Sequence, residues 1–414
     1  MSGIVESRRL IWWICGLALA LRLAAIPFSK PEDDKLFEYG QIAWNIVQGH
    51  GYSWDFEGRF PLAPTAYAPA LYTYSLVPWF ALFGINFLGP RLMHAVFLAA
   101  AAWFLYKIGE KLVNRRVGLM AAGIWALYPE MIFLGLRIAP ENLMFPLMLA
   151  MLWLVQIPRE ESFAQTALLG GALTGLAAWT NPSLQLLGVV VPLHWWLNGH
   201  LKGREGWKRL APFVVGGILV VAPWTIRNYF KLGAFVPLRT AFSYNVWRGN
   251  HPGATGTVYT FEGRNIDEAM EPAYAAYVEQ HMVPDEIERD RFFAREVKRF
   301  ISERPQDYIR LSWRRLGYFW WRDRTHALTG NAFYWMPWLL ILLLAALGLY
   351  ALRLHWRTWS LWLMPIMGFM LLFSLTVYVP RYRMTIYPSM FLLAAAGMDQ
   401  LLRKFRSAGE IIKS

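Results

Sequence analysis

Apolar stretches of roughly 17 to 25 residues, the length a helix needs to cross a bilayer core of about 30 Å, recur along nearly the whole chain. A soluble protein with 56% apolar residues, 22 tryptophans and a mean hydropathy of +0.29 would aggregate. A transmembrane β-barrel would show alternating segments of about ten residues instead of continuous runs. In lipid each backbone N–H and C=O must be bonded within its own segment, so helices remain. The expectation is an all-α polytopic membrane protein with about ten transmembrane helices, placed at residues 10–28, 88–108, 117–136, 140–156, 164–180, 183–198, 210–227, 333–352, 358–379 and 385–402. From about Asn228 to Asn331 no such run occurs.

One further apolar stretch, Leu71 to Phe83, is short, and counting it as a span would invert every later loop. Cytoplasmic loops are enriched in Lys and Arg, which decides the parity. With 71–83 held at the outer face as an interfacial or re-entrant helix, the clusters Lys107, Lys111, Arg115 and Arg116, then Lys202, Arg204, Lys208 and Arg209, then Arg353 and Arg357, and the tail with Arg403, Lys404 and Arg406 all fall inside. Both termini are then cytoplasmic. Two regions are left outside: a first loop at 29–85 and a large loop near 228–332. The chain divides accordingly into a transmembrane catalytic module at 1–227, an extracytoplasmic region at 228–332 and C-terminal helices with a cytoplasmic tail at 333–414. The large loop reads as helical near Phe292, Phe293, Val297, Phe300 and Ile301, interrupted at Pro305. Beyond it, Tyr308, Trp313, Arg314, Arg315, Tyr318, Trp320 and Trp321 suggest an amphipathic segment at the headgroups, anchored by aromatic and cationic side chains.

The net charge of +13 sits at the ends of apolar runs, which suits membrane topology and not a nucleic-acid partner. The single cysteine, Cys15, excludes an intrachain disulfide. Arg8 and Arg9 precede a first apolar run long for a cleaved signal and are read as flanking an uncleaved signal anchor. The eight histidines show no metal-ligand spacing, and no phosphate-cradling glycine loop or serine elbow is visible, so no metal or cofactor is expected.

Chemistry-bearing residues gather at the outer face. Asp33 and Asp34 follow the first span directly, where a carboxylate can take a proton from a hydroxyl while the reacting partner stays anchored in lipid; a solvated loop end is the plainer alternative. Arg381 and Arg383 flank Tyr382 at an outer helix end where cations are disfavoured, and they suit a lipid-linked phosphate or simple snorkelling to headgroups. Glu141 opens a span after Arg137, where the helix dipole alone also favours a carboxylate. Arg22 lies well inside the first apolar run and either serves function or reaches outward.

Taken together, these segments resemble the GT-C superfamily of membrane glycosyltransferases, in particular bacterial relatives of protein mannosyltransferases and the lipid A aminoarabinose transferase. Asp33-Asp34-Lys35-Leu36-Phe37 resembles the acidic pair of the family's first outer loop. Gly49-His50-Gly51-Tyr52 is similar to its glycine-rich stretch. Pro64 to Tyr72, with Tyr67, resembles the proline-tyrosine entry to a juxtamembrane helix, and Glu141 resembles the glutamate opening the fourth span. Arg227-Asn228, residues 245–250 and Ala254-Thr255-Gly256 look like the large-loop entrance, and Arg381-Tyr382-Arg383 through Pro388 like the last-span motif. Ala68 and Asp34 depart from the residues many relatives carry there. The resemblance implies an inverting transfer of a hexosyl or pentosyl group from a polyprenyl-phosphate sugar donor to a glycan, lipid or protein acceptor, within a bacterial inner membrane and serving the cell envelope. It implies Asp33 as base, Asp34 and Glu141 in support, and Arg381 and Arg383 on the leaving phosphate, with Tyr382, Tyr67, His50 and Arg137 lining the substrate. The alternatives are a transporter or lipid flippase, which would place carboxylates near the midplane, and a non-catalytic scaffold of degenerate transferase fold.

Overall fold

The computed structural model describes residues 2–30, 34–158, 160–268 and 270–411, with side chains described from 9 to 405 apart from position 327 and the omitted positions. Asp33 therefore lies outside the described residues. The chain begins with α1 (Ser2–Ala25) and a 3-10 turn at Ile26–Phe28. The first loop carries α2 (Glu38–Val47), an antiparallel ribbon of β1 (Ser53–Trp54) and β2 (Ala63–Pro64), and α3 (Ala70–Phe83). Then come α4 (Leu88–Leu112), α5 (Arg115–Leu127), the short α6 (Pro129–Leu134), α7 (Glu141–Val155), α8 (Phe163–Thr180), α9 (Leu187–Leu197) and α10 (Gly203–Leu232). The large loop holds α11 (Phe242–Arg248), α12 (Pro272–His281), α13 (Glu286–Glu303) and α14 (Pro305–Trp320). The chain closes with α15 (Ala332–Leu352), α16 (Trp356–Leu375), α17 (Pro380–Arg383) and α18 (Tyr387–Ile411).

Each of the ten apolar segments carries helix. The run at 117–136 breaks at Tyr128 because Pro129 lacks an N–H and opens α6 at its first position. Asn114 caps α5 by accepting from the Val117 N–H at 3.0 Å. Four described stretches are long and apolar enough to cross a membrane, Arg9–Phe28, Leu88–Leu112, Gly203–Leu232 and Ala332–Leu375, while Ala70–Phe83 and Glu141–Val155 are shorter apolar helices. The large side chains of Trp12, Trp13, Leu219, Leu343 and Phe333 are exposed on these helices, an arrangement stable only against lipid. The chain is thus a mostly helical, multi-pass membrane protein.

Glycines set the closest helix approaches. A Cβ at Gly171 would stand 1.8 Å from the Phe213 carbonyl oxygen and one at Gly216 2.1 Å from that of Leu168, so α8 and α10 touch backbone to backbone. Gly348 and Gly397 bring α15 and α18 equally close, at 1.9 and 2.1 Å from the Leu393 and Leu344 carbonyl oxygens. In lipid, where apolar side chains gain little by leaving their surroundings, such close dispersion contact drives helix association.

Two expectations change. Arg22 does not reach outward: it is buried, donating to the Ala18 carbonyl at 2.8 Å and the Trp125 carbonyl at 3.3 Å, so it ties α1 to α5. Arg315 is no headgroup anchor either. It is fully buried and donates to the carbonyls of Ser374 (2.7 Å) and Gly249 (3.0 Å) and to the Asn250 amide oxygen (3.0 Å), fastening α14 to the large loop and the end of α16. Trp313, exposed on the same helix, keeps the interfacial role available. Arg22 meets the Trp125 carbonyl, whose i+4 position is the N–H-less Pro129, and Arg315 meets carbonyls at the ends of α11 and α16; these hydrogen bonds compensate for burying a charge without a carboxylate.

Candidate active site

The site is assembled where α4, α7 and α17 end beneath the first loop. Asp34 stands in the chain leading to α2, and its carboxylate accepts from Arg91 Nη2 at 2.5 Å. Arg91, in the first turn of α4, is only 7% exposed against 46% for Asp34. It also donates through Nε to the Leu136 carbonyl at 3.0 Å, pinning the loop to the turn before α7. One turn further along α4, buried His94 faces the Gly135 carbonyl through Nδ1 at 3.1 Å and the Tyr72 hydroxyl through Nε2 at 3.0 Å. A carbonyl only accepts, so the proton sits on Nδ1 and Nε2 accepts from Tyr72.

The turn before α7 is held by Asn142, whose amide donates to the carbonyls of Leu134, Arg137 and Ala139 at 3.3, 3.1 and 3.0 Å. That turn delivers Glu141 as the first residue of α7, 3% exposed, with Oε1 at 3.7 Å from Arg381 Nε. Glu141 Oε2 is buried without a hydrogen-bond partner among the described residues. Arg381 is 43% exposed. Burial lowers its proton affinity, but Glu141, Tyr39, Tyr382 and Glu38 together raise it, so the guanidinium is held charged. Tyr39 on α2 is 4% exposed and edge-on to Tyr72 at 5.7 Å. Burial first, then the Glu38 carboxylate, pushes its hydroxyl well above the usual range, and it stays a neutral donor.

The remaining candidates disperse. Arg383 is 4% exposed and belongs to a different pocket: it donates to the Trp321 carbonyl at 3.2 Å and lies over the Trp338 ring at 4.7 Å, beside Tyr387, which donates to Glu130. Tyr382 stacks on Phe373 at 4.7 Å. Tyr67 packs against Trp54 at 4.5 Å and faces Tyr244 of the large loop at 6.5 Å. His50 is exposed in the loop after α2, and Arg137 is exposed on the turn before α7. The structure therefore places the Glu141–Arg381 pair beside Tyr39, ties Asp34 through Arg91 to the turn before α7, and directs Arg383 elsewhere. Arg91, His94 and Tyr39 have no place in the sequence reading, where Tyr72 only ends the proline-tyrosine stretch. Arg91 and His94 carried a usable signal, since an ionisable side chain inside an apolar run is a candidate for function by default, the rule that also singled out Arg22. Among the described residues no group of three His, Cys, Asp or Glu side chains is close enough to hold a metal ion.

Residues 68–226 match the family model described as dolichyl-phosphate-mannose-protein mannosyltransferase. No curated protein matches the sequence. Among solved structures, ArnT from Cupriavidus metallidurans bound to undecaprenyl phosphate is similar with a TM-score of 0.53 and 14% identity, over 94% of this chain and 60% of that one. The archaeal oligosaccharyltransferase AglB from Archaeoglobus fulgidus, in complex with an inhibitory peptide and a dolichol-phosphate, is similar with a TM-score of 0.55 and 12% identity, over 99% of this chain and 52% of that one. The chain thus spans only part of the length of either. Its fold is that of these two solved structures.

Proposed function

We propose that the chain transfers a sugar from a polyprenyl-phosphate donor to an extracytoplasmic acceptor by a single inverting displacement. The observation that carries the reading is the Glu141–Arg381 pair: a buried carboxylate backs a half-exposed arginine, at the same helix ends where Arg91 fixes the acidic loop. Arg381 meets Glu141 through Nε, and among the described hydrogen bonds its two terminal nitrogens have no protein acceptor, so they are presented to a ligand. A phosphate dianion suits that fork.

In this reading Asp33 removes the proton of an acceptor hydroxyl as its oxygen attacks the anomeric carbon. The bond from that carbon to the lipid phosphate breaks on the opposite face, and the electron pair leaves with the phosphate. Arg381 stabilises the charge developing there, a contribution of roughly 3 to 4 kcal/mol for a well-placed donor. Asp34, held by Arg91, sets the position of its neighbour, and Glu141 keeps Arg381 charged and oriented. Arg383 anchors α17 from behind instead of touching phosphate. Ten spans with both termini cytoplasmic would place this site outside, as the positive-inside rule requires.

The transporter reading predicts carboxylates midway along spans, whereas Glu141 opens its helix and Asp34 lies in a loop. The test is Asp33→Asn in membranes supplied with polyprenyl-phosphate sugars. Loss of transfer at an unchanged protein level supports the assignment, and an unchanged transfer rate removes it. Mass spectrometry of envelope glycans with and without the protein identifies the sugar and acceptor.

A further inference from the structure

A cavity of about 180 Å³ opens where the β1–β2 ribbon meets the end of α10 and the start of α13. None of the residues given a catalytic or phosphate-binding role above lines it. Its aromatic wall is formed by Trp54, Phe56 and Phe60, with Trp54 and Phe56 at 5.0 Å. The hairpin tip is held in an unfavourable backbone: Phe56 (φ 53°) and Glu57 (φ 63°) are consecutive non-glycine residues in the left-handed region, which side chains with a Cβ rarely adopt. Such conformations persist where surrounding structure enforces them, and they concentrate at ligand sites. Here the strain holds the Phe56 ring, 7% exposed, under the Arg289 guanidinium at 4.2 Å.

The charged groups fall into two sets. Arg289 is taken up by the carbonyls of Val283 and Pro284 at 2.9 and 3.1 Å, Asp285 caps α13 through the N–H groups of Ile287 and Glu288, and Glu286 accepts from Thr65, the Ala66 N–H and Thr240. The side chains of Asp55 and Lys231 have no hydrogen-bond or ion-pair partner among the described residues, although both residues line the cavity. An anion entering would face three carboxylates, and a cation would face Lys231 and Arg289. A neutral polyol meets both signs at once, its hydroxyls donating to Asp55 and accepting from Lys231 while its C–H face lies on the rings. The volume equals that of about six waters at about 30 Å³ each, the size of one sugar ring.

We propose that this cavity is a saccharide-binding site that holds one neutral sugar residue of the acceptor, so that the acceptor is a glycan; the word acceptor rests on the transferase reading above, the saccharide site does not. The experiment uses the full chain in detergent micelles with four probes, the methyl glycosides of glucose, mannose, galactose and N-acetylglucosamine, read by saturation-transfer NMR and by the fluorescence of Trp54 against a Trp54→Phe blank. At least one glycoside is expected to bind, at least tenfold more weakly to Asp55→Asn/Lys231→Gln, whose changed side chains hold nothing else in place and whose fold is checked by size exclusion. Asp33→Asn and Arg381→Ala are expected to keep full glycoside binding while losing transfer, which separates the two readings. Binding by none of the four probes, equal binding by the double variant, or displacement of the glycoside by inorganic phosphate overturns the proposal. So does an unchanged KM for a glycan acceptor in the double variant.

Discussion

Replacing Asp34 by Asn separates the two halves of the acidic pair. Arg91 Nη2 meets the Asp34 carboxylate at 2.5 Å, with the arginine 7% and the aspartate 46% exposed. An asparagine keeps an acceptor oxygen at the same distance, so what is lost is the charge assistance. That is the difference between a hydrogen bond to a charged group, about 1.5 to 3 kcal/mol, and a neutral one, about 0.5 to 1.5 kcal/mol. End to end the two ranges differ by about 1 to 1.5 kcal/mol, and because nearly half of the carboxylate is already in water a smaller part of it applies, about 0.5 to 1 kcal/mol. The loop then opens locally about 2 to 5 times more often, since 1.4 kcal/mol is a tenfold change. Lys35, exposed and next to Asp34, reports it: tryptic cleavage there tracks the open population when reclosing is faster than cleavage. Asp34→Asn should be cut about 2 to 5 times faster yet retain measurable sugar transfer, while Asp33→Asn should leave cleavage nearly unchanged and abolish transfer. A cleavage rate altered less than twofold in Asp34→Asn, together with transfer lost as completely as in Asp33→Asn, would refute the positioning role.

Gly171→Ala should cost about 1 to 3 kcal/mol by overpacking, because its methyl would meet the Phe213 carbonyl oxygen, whereas Gly123→Ala, with nothing within 4 Å, should be tolerated; size exclusion after graded heating compares them. His326 gives a pH dependence: burial, with Arg137 and Arg383 nearby, pushes its imidazole down to about 4 from an unfolded value near 6.5. The unfolded chain takes up the proton first, so the stability this histidine contributes is full above about pH 6.5 and is lost as pH falls toward 4. Hydrogen exchange around residues 321–335 should quicken across that window, with a smaller change in His326→Gln. An identical acid response in the variant would assign the effect to another group.

How far the sequence could be read differs by element. Segment lengths located helix in each of the ten apolar runs because run length is a one-dimensional constraint, and the short run at 71–83 stands out for the same reason as the 14-residue α3. The Pro305 interruption is also local: α13 ends at Glu303 and α14 begins with that proline. What stayed hidden depends on which way a side chain turns. Arg381 and Arg383 share one helical turn, yet one pairs with Glu141 and the other lies among Trp321, Trp338 and Tyr387, and nothing in the spacing Arg-Tyr-Arg separates them. Arg315 sits in an amphipathic pattern typical of headgroup anchors, and only the carbonyls left open at Gly249 and Ser374 explain why it turns inward. Glu286 gave no signal, being one acid in a charge-rich helix start.

Glu286 also sets an order of events during synthesis. It joins the large loop to Thr65 and Ala66 of the first loop, residues made some 221 positions earlier. At about 5 to 20 residues per second, translation takes on the order of ten to forty seconds to bridge that interval. Until then the first loop is without its clasp, and in the proposed topology the nascent chain holds an unfinished outer face. In the proposed enzyme, competence would arrive only once the second loop has been exported, so a ribosome that stalls before α13 would leave an inert fragment in the bilayer.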